Sequence, residues 1–136
     1  MKKLLPLLAA LMLTACSPSG GTKPITYRRI TADEAAVMMA QETGYIILDV
    51  RRPDEFARSR IAGATLLNVL DTTGFCRGID TLSRKPHYYL YCLKGLRRLR
   101  AARIMQERGF HVTSLDGGID AWQQAGLSVD SALLDK

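Results

Sequence analysis

Residues 87–118 read HYYLYCLKGLRRLRAARIMQERGFHVTSLDGG. The first six, His-Tyr-Tyr-Leu-Tyr-Cys, form an apolar, aromatic-rich run of strand length. A short glycine-containing loop follows, and residues 97–108 read as a helix closed by Gly109. Residues 111–115 are a further strand. Upstream, 45–50 (Tyr-Ile-Ile-Leu-Asp-Val) is another short and nearly continuous apolar run. Such runs suit strands covered on both faces in a parallel sheet. Strands alternating with helices predict an α/β fold, with a mostly parallel central sheet flanked by helices on both faces.

The remaining elements fit that frame. Thr31-Ala32-Asp33-Glu34 has the form of a capping box and opens a helix that Gly44 ends. Pro53 starts a second helix, with Asp54 and Glu55 at its positive end. Residues 64–70 are a strand candidate, and 119–124 a last short helix ended by Gly126. Residues 71–85 give the weakest signal and read as a loop with a short helix. In open parallel sheets, chemistry sits beyond the carboxyl ends of the strands. Asp49 and Cys92 stand at two such ends.

The chain has 136 residues, enough for one domain. Lys2 and Lys3 precede an apolar run, 4–12, too short to span a bilayer but right for a signal peptide. Leu13-Thr14-Ala15-Cys16 then resembles the bacterial lipobox, whose cysteine sulfur is diacylated after cleavage. The organisation expected is a lipoprotein signal at 1–15 and a lipidated Cys16 with a flexible tether at 16–26. The domain then occupies 27–129, with a polar tail at 130–136. The resemblance implies a lipid-anchored domain in the cell envelope. Because Ser17 rather than Asp follows the cysteine, it implies the outer membrane, facing the periplasm, in a Gram-negative host.

Formal charge is +6, and without Lys2 and Lys3 the 17 basic and 13 acidic side chains leave about +4. That balance does not argue for nucleic acid. Five basic residues do crowd into 94–103 without an acid, which reads as a solvated helix face plus an anion-binding loop. No Cys-x-x-Cys pair exists, and only His87 and His111 could assist a metal, so no metal site is expected. Cys76 reads as a lone loop cysteine; the competing reading is a resolving thiol for Cys92.

Cys92 is the candidate nucleophile. The loop after it, Leu93-Lys94-Gly95-Leu96, leads through Arg97 and Arg98 into a helix, and loops of this kind turn backbone N–H groups toward an anion. The helix amino terminus adds partial positive charge, and both favour a thiolate. Gly95 gives the loop conformational freedom. Taken alone, a buried structural cysteine explains Cys92 equally well.

The order of motifs separates the two. Cys92, Gly95, Arg97, Ala101-Ala102, Gly109-Phe110 and Gly117-Gly118, followed by Trp122, resemble the signature of the rhodanese family. Leu48-Asp49-Val50-Arg51, Glu55-Phe56, Ile61, Gly63-Ala64 and Asn68 resemble its earlier half. The resemblance implies a sulfurtransferase. Cys92 takes a sulfane sulfur from a small anionic donor such as thiosulfate and passes it to a thiol or protein acceptor, with no cofactor. It also implies that the amides from Leu93 to Arg97 cradle the sulfur, that Arg97 braces the loop, and that Asp49 and Arg51 support the site. Leu93, Lys94 and Leu96 stand where small polar residues are usual. Arg98 stands where Ser or Ala is common, and Ser59-Arg60 replaces Gly-His. Two other functions compete: a phosphatase-like or arsenate-reductase-like enzyme using Cys-x5-Arg, which needs a loop one residue longer, and a catalytically weak binding or thiol-redox module.

Overall fold

Five parallel strands form the centre of the molecule. The structure, a computed structural model, describes residue 16 and residues 27–131. In chain order the elements are β1 (Arg28–Ile30), α1 (Ala32–Gln41), β2 (Ile46–Asp49), α2 (Pro53–Arg58), β3 (Arg60–Ile61) and β4 (Thr65–Leu66). There follow α3 (Thr72–Asp80), β5 (His87–Tyr91), α4 (Leu96–Glu107), β6 (His111–Leu115), α5 (Gly118–Gln124) and β7 (Val129–Asp130). The sheet order is β1-β6-β5-β2-β4, and β3 and β7 form a separate antiparallel pair. This is the α/β fold with a parallel sheet that the apolar runs predict.

Both faces of the sheet are covered, which is why β5 shows no polar alternation. Tyr88 and Leu90 point to one face and pack with Phe75 and Ile79 of α3 and Ala101, Ala102 and Met105 of α4. Tyr89 and Tyr91 point to the other, with Ala35 and Met39 of α1 and Ile119 and Trp122 of α5. Each large side chain so buried contributes about 1.5–3 kcal/mol. The capping box forms at α1: Glu34 N donates to Thr31 Oγ1 at 3.2 Å, and Thr31 N donates to Glu34 Oε2 at 2.8 Å.

Several boundaries differ from the sequence reading. The strand expected over 64–70 is only the two-residue β4, after which Asn68 Oδ1 accepts from Leu70 N at 3.0 Å and turns the chain. Asp71 caps α3 through Gly74 N, and two glycines inside that helix explain its weak signal. β1, with two exposed arginines, has no apolar pattern to announce it; pairing with β6 and burial of Ile30 make it a strand. Asp130 belongs to β7 and not to a tail. Helix α1 ends at Gln41, ahead of Gly44.

The expected signal peptide and nearly all of the tether lie outside the described residues. Cys16 is described, and the structure joins it in a disulfide to Cys76, with the Cα atoms 6.1 Å apart. Cys76 therefore sits on a helix rather than in a loop, and in this structure its partner is Cys16 and not Cys92. It is buried on α3, and Cys92 is the free thiol. A sulfur in that bond carries no acyl chain, so the disulfide and the lipobox reading compete for one atom. Among the described residues no helix is long and apolar enough to cross a membrane.

At the amino-terminal edge of the sheet a polar cluster surrounds the buried His87. The His87 ring bonds the Glu42 carboxylate through Nδ1 at 3.0 Å and Thr113 Oγ1 through Nε2 at 2.7 Å, and stacks on His111 with centroids 4.1 Å apart. The Tyr89 hydroxyl donates to the same carboxylate at 2.6 Å. Burial pushes the His87 pKa below its ordinary value and the neighbouring His111 adds to this, outweighing the pull of Glu42. The folded chain thus binds this proton later than the unfolded chain, and unfolding takes one up. Stability contributed by neutral His87 is complete above about pH 6.5 and declines as pH falls below it. Urea midpoints at pH 7, 6 and 5 are expected to fall, and His87→Gln to flatten that slope; an unchanged slope would show that His87 does not cause it.

Candidate active site

The site is built where β2 and β5 end together. Asp49 lies opposite Tyr91 in the parallel register, and Val50 N donates to Tyr91 O at 3.1 Å. From β2 the sheet extends to β4 on one side and to β5 and β6 on the other, so this is the topological switch point at which such sheets bind ligands. Cys92 follows β5 directly and is only 1% exposed, so a reactant must reach it through an opening in its surroundings.

Gly95 is the N-cap of α4. It has no side chain to offer the helix amides, and the first turn contains no acid. The donors and partial positive charge at that end thus receive no carboxylate or hydroxyl from the N-cap or first turn. Lys94 and Leu93 are exposed. Leu96 opens the helix rather than belonging to the loop, and at 83% exposure it stands clear of the protein.

Two ion pairs hold the surroundings. Arg51 donates to Asp49 through Nε at 2.9 Å and Nη2 at 2.6 Å, and its backbone N also reaches Asp49 Oδ1 at 3.0 Å. The same guanidinium donates to Ser59 O at 2.6 Å, tying the end of β2 to the turn after α2. Both partners are buried, so the pair orients more than it stabilises. Arg97 forks onto Glu55, with Nη1 at 2.5 Å and Nη2 at 2.8 Å. That fork holds the Glu55 carboxyl down at about 2, so the pair stays ionised at neutral and mildly acidic pH. Glu55 is the site residue whose role the sequence does not reveal, because its partner is 42 positions away.

Arg98, expected to serve the anion loop, lies beside Gly95 and is held from β6 and the residue after it. It is buried and turned aside, donating to Ser114 Oγ at 2.6 Å and Asp116 Oδ1 at 2.8 Å. The cause is helical spacing: adjacent residues on α4 project about 100° apart, so Arg97 meets α2 while Arg98 meets β6. Arg98 anchors the helix to β6, and its guanidinium also lies beside Gly95, where a Cβ would stand 3.5 Å from Arg98 Nη2.

The glycine that the site demands is Gly118. Its φ is +57°, and a Cβ there would overlap the Cys92 carbonyl oxygen and stand 2.5 Å from that of Leu93. Ile119 N donates to Cys92 O at 3.0 Å, so the start of α5 is seated on the backbone of the loop. Backbone cannot yield as a flexible side chain can. Gly118→Ala is expected to cost about 1–3 kcal/mol in urea unfolding and to impair reaction at Cys92 more than a surface Gly→Ala control does. Parent-like stability and reactivity would show that the loop accommodates the methyl.

Comparison with known proteins agrees with this geometry. The family model for the rhodanese-like domain matches residues 31–125. The thiosulfate sulfurtransferase GlpE of Pseudomonas entomophila is 30% identical over 98 residues, covering 71% of this chain and 85% of its own. The putative sulfurtransferase YtwF of Bacillus subtilis is 30% identical over 84 residues, covering 62% and 78%. Among solved structures, a rhodanese-related protein from Thermoplasma volcanium superposes with a TM-score of 0.68 at 26% identity, over 76% of this chain and 98% of that one. With this match across most of its length, and with Cys92 ending β5 at the switch point of a parallel sheet, the chain belongs to the rhodanese family.

Proposed function

We propose that the chain is a sulfurtransferase that moves a sulfane sulfur from a thiosulfate-type donor to a thiophilic acceptor through a persulfide on Cys92. The observation that carries this reading is the position of Cys92: the free thiol among the described cysteines, at the end of β5, beside a helix start with no acidic cap. The names of the similar enzymes support the same class of donor.

In the first step the Cys92 thiolate attacks the outer sulfur of the donor. Its electron pair forms the new S–S bond, the donor's S–S bond breaks, and sulfite leaves with that pair. In the second step an acceptor thiolate attacks the sulfur now outermost on Cys92, and the Cys92 thiolate is released. Both steps exchange one S–S bond for another, so they call for no metal or organic cofactor. The amides from Leu93 through Arg97 would cradle the terminal sulfur and its negative charge. Arg97 keeps the loop in place through Glu55, and Arg51 and Asp49 fix the adjoining chain. Lys94 is the exposed cation that a doubly negative donor meets at the loop.

Intact-mass measurement of the reduced chain after thiosulfate treatment is expected to show a gain of about 32 Da, one sulfur atom, and Cys92→Ser to show none. No gain on folded parent protein would favour a binding module over a transferase.

We further propose that the domain works in the cell envelope, held by acyl chains on Cys16, with no nucleic-acid partner. The order Leu13-Thr14-Ala15-Cys16 after a basic and apolar segment supports the anchor. Since acylation and the Cys16–Cys76 disulfide use the same sulfur, the anchored form has Cys76 as a free thiol. Peptide mass spectrometry of the chain taken from a bacterial membrane fraction, without reduction, is expected to find a diacylglyceryl thioether on Cys16. A Cys16–Cys76 cross-linked peptide in its place would remove the anchor and leave the disulfide as the native state.

A further inference from the structure

Helix α4 starts in a way that reverses α1 and α2. In those two the third residue is a glutamate, Glu34 and Glu55, whose carboxylate accepts from the amide of the residue before the helix. Negative charge there suits the positive end of a helix. In α4 the third residue is Arg98, and the first turn holds no acid. Its guanidinium folds back beside Gly95, where a Cβ would stand 3.5 Å from Nη2. Arg98 is buried, so a cation is held out of water at a helix end that disfavours it. Its Nε is buried without a hydrogen-bond partner.

The compensation of this charge is incomplete. Ser114 Oγ is neutral, and Asp116 Oδ1, at 2.8 Å from Arg98, also accepts from Arg29 Nε at 3.0 Å. One carboxylate thus serves two guanidiniums, and positive charge is left over. Arg29 is exposed and screened by water, whereas Arg98 is not. The turn that holds Arg98 also supports the loop, since Gly118, two residues after Asp116, lies against the carbonyl oxygens of Cys92 and Leu93. We propose that Arg98 is an electrostatic positioning residue for reactions at Cys92, its buried charge behind Gly95 favouring anionic over neutral reactants at the loop. It takes no part in bond exchange and acts through the potential at the loop. Lys94 attracts an anion through water; Arg98 acts through protein, where a charge is felt more strongly. That thiosulfate is the anion that benefits rests on the sulfurtransferase reading above, while the charge preference itself does not.

Alkylation of Cys92 tests the preference without sulfur transfer. The thiolate displaces iodide from iodoacetate, an anion, or from iodoacetamide, a neutral molecule of nearly the same size, and iodide leaves with the C–I electron pair. Rates are read on the full chain from the peptide that carries Cys92. Their ratio cancels thiolate fraction and access, which both reagents share. Arg98→Met is expected to lower the iodoacetate-to-iodoacetamide ratio about threefold, and Arg98→Lys to retain most of it. Asp116→Asn keeps an acceptor oxygen for Arg98 and removes the opposing charge, so the ratio is expected to rise. A residue that only braces the helix would change both rates together. An unchanged ratio in Arg98→Met, an equal loss in Arg98→Lys, or no rise in Asp116→Asn would overturn the proposal. Asp116 is half-buried, so the last variant decides even where Arg98→Met does not fold. Loading from thiosulfate, with two negative charges, is expected to slow more in Arg98→Met than loading from methanethiosulfonate, with one. In the latter the outer sulfur passes to Cys92 and methanesulfinate leaves with the bonding pair. A charge preference in alkylation without sulfur loading from either donor would keep the assignment of Arg98 and overturn the sulfurtransferase reading alone.

Discussion

The pairing of β2 with β5 is the constraint on which the site depends. With Asp49 opposite Tyr91, the chain leaving β2 and the chain leaving β5 emerge side by side at one edge of the sheet. A slip of one residue would turn Tyr88 and Leu90 into the layer that now holds Tyr89 and Tyr91, and both packed layers would have to be rebuilt. The register is therefore secured by the core, well away from Cys92. Its consequence appears at the edge, where Arg51 and Cys92 become neighbours although 41 positions separate them. The Arg51 guanidinium lies over the Tyr91 ring at 5.6 Å, and Tyr91 Oη accepts from Ile61 N at 3.1 Å. These contacts carry the register outward into the turn after α2.

Around Cys92 the protein spends charge on position and leaves the reacting region sparsely occupied. Asp49 is committed to Arg51, Glu55 to Arg97, and Asp116 to Arg98 and Arg29. Each of these three carboxylates thereby has a cationic partner. Under the proposed reading, what would face a donor anion is mostly backbone: the start of α4 behind Gly95 and the loop that Gly118 supports from the other side. Backbone donors held by packing need no reorganisation when negative charge arrives, which is where an enzyme gains most from electrostatics. Single substitutions of loop side chains can then change which molecules approach, while leaving the donor set in place. Leu93, Lys94 and Leu96 occupy positions of that kind.

The parts of this arrangement that were legible in the sequence share a physical cause. Apolar runs such as 45–50 and 87–92 read as buried strands because both faces of the sheet are covered. The Thr31 capping box and the glycine ends of helices are local, and local rules predict them. Cys92, Gly95 and Arg97 were legible because their spacing within one stretch is itself the signal. What was not legible is set by contacts between distant segments. Glu55 could not be assigned to Arg97 without knowing that α2 lies over the start of α4. Arg98 looked like part of the loop until helical projection carried it toward Ser114. Gly118 was one of a pair of glycines until the Cys92 carbonyl was found where its side chain would be. β1 became a strand only by pairing with β6, and Cys76 met Cys16 across 60 positions.

The sheet also separates two kinds of proton-dependent behaviour. The Glu55–Arg97 pair belongs to the chemical edge, and its carboxyl titrates near 2, so neutral and mildly acidic conditions leave it ionised. The His87 cluster lies at the opposite edge, where strands begin, and His87 titrates below its ordinary value because it is buried. Mild acid thus acts on the His87 end of the sheet before it reaches the Glu55–Arg97 pair. Because the folded chain holds His87 neutral more strongly than the unfolded chain does, protonating it makes the domain easier to unfold. The His87 cluster and the end of β5 that carries Cys92 thus stand at opposite edges of one sheet, joined by its two packed layers.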